Sequence, residues 1–214
     1  PAAGPEESGR SRLDTVRLFL AAAKKHSIHE MYGFLNGTLI DGMVERESIL
    51  KEWKSAGHKV GNHTYGHHDL GRVSALDFKN DIQKNESFLL DFASNIRELK
   101  MFRYPFLMEG ETKEKCYSVR SYLAKRNYRI AQVTIDFEDW TFNEAFIRCL
   151  RTEQTDTVNQ IKSYYLANAN NQLEFTRQLV SRIWGTSKKI PHIALVHLTP
   201  LTALMADDLF SSWE

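Results

Sequence analysis

Apolar residues recur at helical spacing from Arg12 to His26, where Leu13, Val16, Phe19, Leu20 and Ala23 share one face. The pattern then shortens to an apolar run, Met31 to Leu35, closed by Asn36-Gly37. Helical spacing returns from Val44 to Ala56, with Ile49, Leu50 and Trp53 on one side and Gly57 as the stop. His58-Lys59-Val60-Gly61-Asn62 reads as a short strand running into a turn. Ser74-Ala75-Leu76-Asp77 opens the next helix with a capping signal, and Phe78, Ile82, Phe88, Leu89 and Phe92 supply its buried stripe.

Beyond that helix the pattern predicts a strand at Met101 to Tyr104, a helix from Glu111 to Arg126 and a strand from Arg129 to Ile135. It continues with helix over most of Thr155 to Trp184, a buried strand from Ile193 to His197, and a last helix beginning near Pro200. The polar run Asn168-Ala169-Asn170-Asn171-Gln172 reads as a solvated helix face. Alternating strands and helices predict a parallel sheet with helices packed outside it, and in such folds the active site gathers at the carboxyl ends of the strands. Four of the five predicted strands end in a chemically capable group: His63, Arg103, the Asp136 to Asp139 segment, and His197.

Composition narrows the classes. The 214 residues, 42% of them hydrophobic, suffice for one substantial core and are read as a single domain. The formal charge of +1, with no basic run interleaved with aromatics, argues against nucleic acid as a partner. The longest apolar runs, such as Leu18 to Ala23, fall well short of the roughly 20 residues that cross a bilayer. Cys116 and Cys149 are isolated in sequence and read as ordinary thiols.

His63 and His67, four apart in Gly61-Asn-His-Thr-Tyr-Gly-His-His-Asp69, carry the strongest chemical signal. Two imidazoles at this spacing can hold one borderline-soft divalent ion, leaving positions for a carboxylate, water and a substrate oxygen. The helical zinc-protease motif needs Glu directly after the first His. Thr64 stands there, so the protease reading fails. Alone, such a pair is more often two surface histidines than a set of metal ligands; His26, His29, His58, His68 and His192 are read as surface or packing residues.

Further motifs follow in order: Arg103-Tyr-Pro105-Phe106, Asp136-Phe-Glu-Asp139-Trp140 and Leu195-Val196-His197. Together with His63-Thr-Tyr-Gly-His67 this set resembles the polysaccharide deacetylases of carbohydrate esterase family 4, the NodB-homology group, from about Leu13 to Leu209. The resemblance implies a distorted (β/α)7 barrel and a divalent transition metal, usually Zn2+, held by two histidines and an aspartate. His63 and His67 match the histidines. The aspartate belongs to an early T-F-D-D motif that also supplies the general base, and no such motif is present. The resemblance would put it immediately upstream of residue 1 and a final strand after Glu214, so the chain is expected to be clipped at both ends and to lack the first and last strands. Asp207-Asp208 reads as a helix face rather than a displaced motif.

On the same resemblance, His197 matches the general acid and Asp139 the carboxylate that orients its ring and favours its charged form. Arg103 matches the partner of the base carboxylate. The Phe106 N–H is expected to help bind the oxyanion, with Pro105 keeping the following backbone extended. Trp140 is expected to wall the site, Asp136 to support its loop, and Tyr65, Tyr104 and Trp140 are the aromatics available to stack on sugar rings. The expected partner is a polymer containing N-acetylglucosamine, such as peptidoglycan or a chitin-like glycan, with a location outside the cytoplasm. A hydrolase of a small amide or imide with the same fold, or a non-catalytic glycan-binding relative lacking the base, are the alternatives.

Overall fold

The computed structural model describes residues 9–185 and 190–214. Its helices are α1 (Arg12–Lys25), α2 (Gly37–Ile40), α3 (Arg46–Ser55), α4 (Ala75–Leu89), α5 (Lys113–Lys125), α6 (Asp139–Arg151), α7 (Thr155–Trp184) and α8 (Pro200–Trp213). Its strands are β1 (Tyr32–Leu35), β2 (Lys59–Asn62), β3 (Met101–Phe102) and β4 (Arg129–Ile130). The chain divides into two compact units, one spanning Glu30–Gln132 and the other combining the segment up to His29 with Val133–Glu214.

In the first unit β1, β2, β3 and β4 lie side by side in sequence order and all parallel, as the alternating pattern predicts. Val60, Leu50, Leu89 and Leu99 are buried together beside β2. A second cluster joins Phe102 of β3 to Phe78 and Ile82 of α4 and Val119 and Leu123 of α5. The helix starts follow their capping signals. Ser74 Oγ accepts from the Asp77 N–H at 3.0 Å, and Thr112 Oγ1 accepts from the Lys115 N–H at 3.2 Å, each satisfying a first-turn donor that has no partner inside the helix.

The second unit is mostly helical. Phe19 of α1 meets Phe210 of α8 edge to face at 5.6 Å, and Tyr165 of α7, fully buried, meets Phe137 at 5.2 Å. Three expectations fail here. The strand predicted over Arg129 to Ile135 ends at Ile130, and the one predicted over Ile193 to His197 is reduced to a single parallel bridge, Ile135 to Ala194. With that one pairing on one side only, Ile193 is 42% exposed rather than buried. The Asn168 to Gln172 run is not merely solvated. Asn168 Nδ2 donates to the Phe137 carbonyl at 2.6 Å, and Asn170 Oδ1 accepts from Ser212 Oγ at 2.9 Å, so these amides tie α7 to its neighbours. Helix α6 was not anticipated. Both cysteines are free thiols, as expected, and no helix among the described residues is long and apolar enough to cross a membrane.

Candidate functional site

In the first unit the candidate residues gather where β2 and β3 end. β2 runs out at Asn62, and His63 follows with its ring beside that of His67, centroids 4.9 Å apart. Thr64 and His67 both adopt left-handed backbone, φ 61° and 55°, which folds the intervening turn back on itself. His63 Nδ1 lies 2.7 Å from the Arg103 carbonyl. A carbonyl can only accept, so Nδ1 carries the proton and the neutral ring bears its lone pair at Nε2, the arrangement that suits a metal-ligating imidazole.

Arg103 is buried, with its guanidinium 4.3 Å above the Phe34 ring. The backbone after Pro105 is not extended, contrary to expectation. Phe106 and Leu107 are both left-handed (φ 56° and 57°) in a short turn that carries the exposed Phe106 ring to 4.6 Å from His67. Tyr104 is also corrected: it is only 3% exposed and stacks on Phe78 within the core, so it offers no face to a sugar. Side chains alternate across an extended chain, and between Arg103 and Pro105 that alternation turns Tyr104 inward. Tyr65 is likewise engaged, its hydroxyl donating to Asp41 at 2.9 Å and Lys84 lying 3.6 Å over its ring.

Donor chemistry is the test of a metal here. Two imidazoles, one with its tautomer fixed, fit half of a divalent-ion site. Among the described residues no group of three His, Cys, Asp or Glu side chains completes it. A cavity of about 560 Å3 in the same unit is lined by Arg46, Leu50, Lys54 and Phe92 and contains none of the motif residues.

The second unit holds the other pair. Asp139 is the first residue of α6 and fully buried; its Oδ1 accepts from His197 Nδ1 and its Oδ2 from the His197 backbone N–H, both at 2.7 Å. Thr202 Oγ1 adds a third donor at 3.2 Å. His197 is thereby locked in ring orientation while its side chain stays 44% exposed, the accessibility a proton donor needs. Asp136 supports the approach to α6 as expected, its Oδ1 accepting from the Glu138 N–H at 3.1 Å, and Glu138 itself is left-handed, φ 52°. Trp140 is 53% exposed, free to meet a ligand.

The polysaccharide deacetylase profile matches residues 12–128, more than half of the chain. The chain belongs to this family. The peptidoglycan-N-acetylglucosamine deacetylase of Bacillus cereus is 27% identical over 128 residues, which are 60% of this chain and 42% of that protein, so the chain spans less than half the length of this curated relative. The fold is that of the carbohydrate esterase family 4 deacetylases: the structure of a polysaccharide deacetylase from Bacillus cereus superposes with TM-score 0.63 at 16% identity, over 92% of this chain and 80% of that one. A family 4 pseudoenzyme from Bacillus anthracis superposes with TM-score 0.58 at 18% identity, over 93% of this chain and 55% of that one.

The motif reading overlooked Asn36, Asn62, Asn85 and Asp81, which hold the loop bearing the two histidines. One signal could have found Asn85: it is a polar residue in the α4 stripe Phe78, Ile82, Leu89, at a position where the spacing calls for an apolar side chain.

Proposed function

We propose that this family member is part of a metal-dependent hydrolase that removes N-acetyl groups from glycans containing N-acetylglucosamine, with peptidoglycan or chitin-like oligomers as substrates. The observation that carries the reading is His63 beside His67, with Nδ1 of His63 donating to the Arg103 carbonyl, which puts the lone pair of the neutral ring on Nε2. A Zn2+ or similar ion held by these rings would supply Lewis acidity to the acetyl carbonyl and a more acidic bound water.

The chain's own groups do the rest. His197 delivers a proton to the departing amine, and Asp139 holds its ring so that Nε2 is the delivering atom. The Phe106 N–H donates to the oxyanion, and Arg103 neutralises the carboxylate base. Trp140 presents an apolar face to a sugar ring. The reading calls for a carboxylate base and a third metal ligand that the described residues do not place beside His63 and His67. The substrates lie outside the cytoplasm, and so does the proposed site of action.

The test is metal content and acetate release from N-acetylglucosamine oligomers by the full-length protein and by His63→Ala and His197→Ala. Stoichiometric metal lost only in His63→Ala, with acetate release lost in both, is the expected result. Failure to bind metal overturns the reading. Metal binding without acetate release would leave the choice between the small-amide hydrolase and the non-catalytic glycan-binding alternative.

A further inference from the structure

The loop from His63 to His67 has almost no regular structure of its own, yet most of its backbone groups are engaged by side chains and turns. The Thr64 N–H donates to Asn62 Oδ1 at 3.0 Å, the Tyr65 N–H to the Asp81 carbonyl at 3.3 Å, the Gly66 N–H to Asp81 Oδ2 at 2.8 Å and the His67 N–H to Thr64 Oγ1 at 3.1 Å. On the acceptor side, Asn36 Nδ2 donates to the carbonyls of His63 at 2.6 Å and Thr64 at 3.2 Å, and the Thr38 N–H and hydroxyl both donate to the Tyr65 carbonyl. A left-handed Thr64 is unfavourable for a β-branched residue and persists only where the surroundings over-determine it.

The Asn62 contact and the carbonyl arm of this scaffold meet at one buried side chain, while the Asp81 contacts stand apart from it. Asn85 of α4 is fully buried. Its Nδ2 donates to the Leu35 carbonyl at 2.8 Å and to Asn62 Oδ1 at 3.0 Å, and its Oδ1 accepts from the Gly37 N–H at 3.0 Å. The partners fix the amide orientation without ambiguity, because the Leu35 carbonyl can only accept and the Gly37 N–H can only donate. Through Asn62 it orients the acceptor for Thr64. Through Leu35 and Gly37 it clamps the turn from which Asn36 and Thr38 reach the loop carbonyls. Asn62 has no spare capacity to compensate, since its Nδ2 is committed to the Ile82 carbonyl and the Tyr128 hydroxyl.

We propose that Asn85 is a positioning residue for His63 and His67: it touches neither ring but sets the backbone geometry that brings them together. That the rings serve a metal rests on the reading under Proposed function; that Asn85 sets their geometry does not. The deciding substitution is Asn85→Asp, nearly isosteric, which keeps the acceptor for Gly37 and turns both donors into an oxygen facing the Leu35 carbonyl and Asn62 Oδ1. Asn36→Asp is the second variant, cutting only the carbonyl arm. Leu173→Ala, in the other unit, is the control for general destabilisation.

Hydrogen exchange followed on the peptide spanning residues 60–70 is expected to accelerate by about tenfold or more in Asn85→Asp and in Asn36→Asp, but not in Leu173→Ala. Binding of Co2+, followed by its visible absorption, should weaken about 10- to 100-fold in the two loop variants. Wild-type exchange across 60–70 in folded Asn85→Asp, or in Asn36→Asp should the first variant not fold, overturns the positioning role. If the unaltered protein binds no Co2+, the metal reading falls and the exchange rates alone decide the role of Asn85.

Discussion

Asp139 grips His197 at two points at once, one carboxylate oxygen on the ring Nδ1 and the other on the backbone N–H, both at 2.7 Å. The ring and the segment that carries it are thus fixed by a single buried side chain at the start of α6. Asp139→Asn replaces one acceptor with an amide that can only donate, leaving it opposed to one of the two His197 N–H groups. Acetate release should fall by about 10²- to 10⁴-fold with KM little changed, because on the proposed mechanism the lost function is proton delivery rather than binding. Steady-state kinetics on N-acetylglucosamine oligomers checks this; activity within about threefold of wild type would remove Asp139 from the mechanism.

Trp140 follows Asp139 directly, but the helical turn sends it outward, where more than half its surface meets solvent. Its replacement by Ala should leave thermal stability almost unchanged. An aromatic contact with a sugar ring is worth about 1 kcal/mol, so KM for an oligomer should rise about fivefold with kcat retained. An unchanged KM would make Trp140 an ordinary surface residue.

The legible parts of this fold were those fixed by local chemistry. Ser74 capping the Asp77 N–H needs only four neighbouring residues, and helix α7 was bounded correctly from Thr155 to Trp184. What pattern could not supply was decided by distant partners. Tyr104 looks like a groove aromatic until the stacking of Phe78 from α4 draws it into the core. Ile193 to His197 has strand composition, but pairing needs neighbours, and the described residues provide one bridge. Helix α6 was hidden by its own motif: reading Asp136 to Asp139 as the end of a strand concealed the helical spacing of Asn143, Phe146, Ile147 and Leu150 behind it. The motif histidines were legible; the amides that hold them were not, because Asn36, Asn62 and Asn85 are brought together only by folding.

Gly37 has no room for a side chain. A Cβ there would lie 2.1 Å from the Tyr65 ring, which is itself held by the Asp41 hydrogen bond, by Lys84 above its face and by Phe88 edge-on at 5.6 Å. The ring cannot retreat without breaking those contacts, so Gly37→Ala should cost about 1–3 kcal/mol in urea unfolding. Adding Tyr65→Ala should recover part of that loss, since the clash then has no second partner. Strict additivity of the two substitutions would refute the close approach.

His26 at the end of α1 places both ring nitrogens on carboxylates of the α8 segment, Nδ1 on Glu214 and Nε2 on Asp207, each at 2.8 Å. Hydrogen bonds first to Glu214 and then to Asp207 raise its pKa above the ordinary 6.5, since both nitrogens must carry protons to serve two acceptors. Lys25 first and then His26 lower that of Asp207 below the usual 3.8. The His26 contribution is therefore fully present below about 6.5 and is lost as pH rises through the raised folded value. The Asp207 contribution is present above about 3.8 and is lost as pH falls through the lowered one. The clasp between α1 and α8 holds best between these limits, and Tm should decline on the alkaline side. In His26→Gln, which cannot take a positive charge, that decline should flatten while the loss below about pH 3.8 persists in part through Lys25. Thermal unfolding of both proteins from about pH 2 to 9 reads the difference, and parallel curves across the range would show that His26 does not titrate with folding.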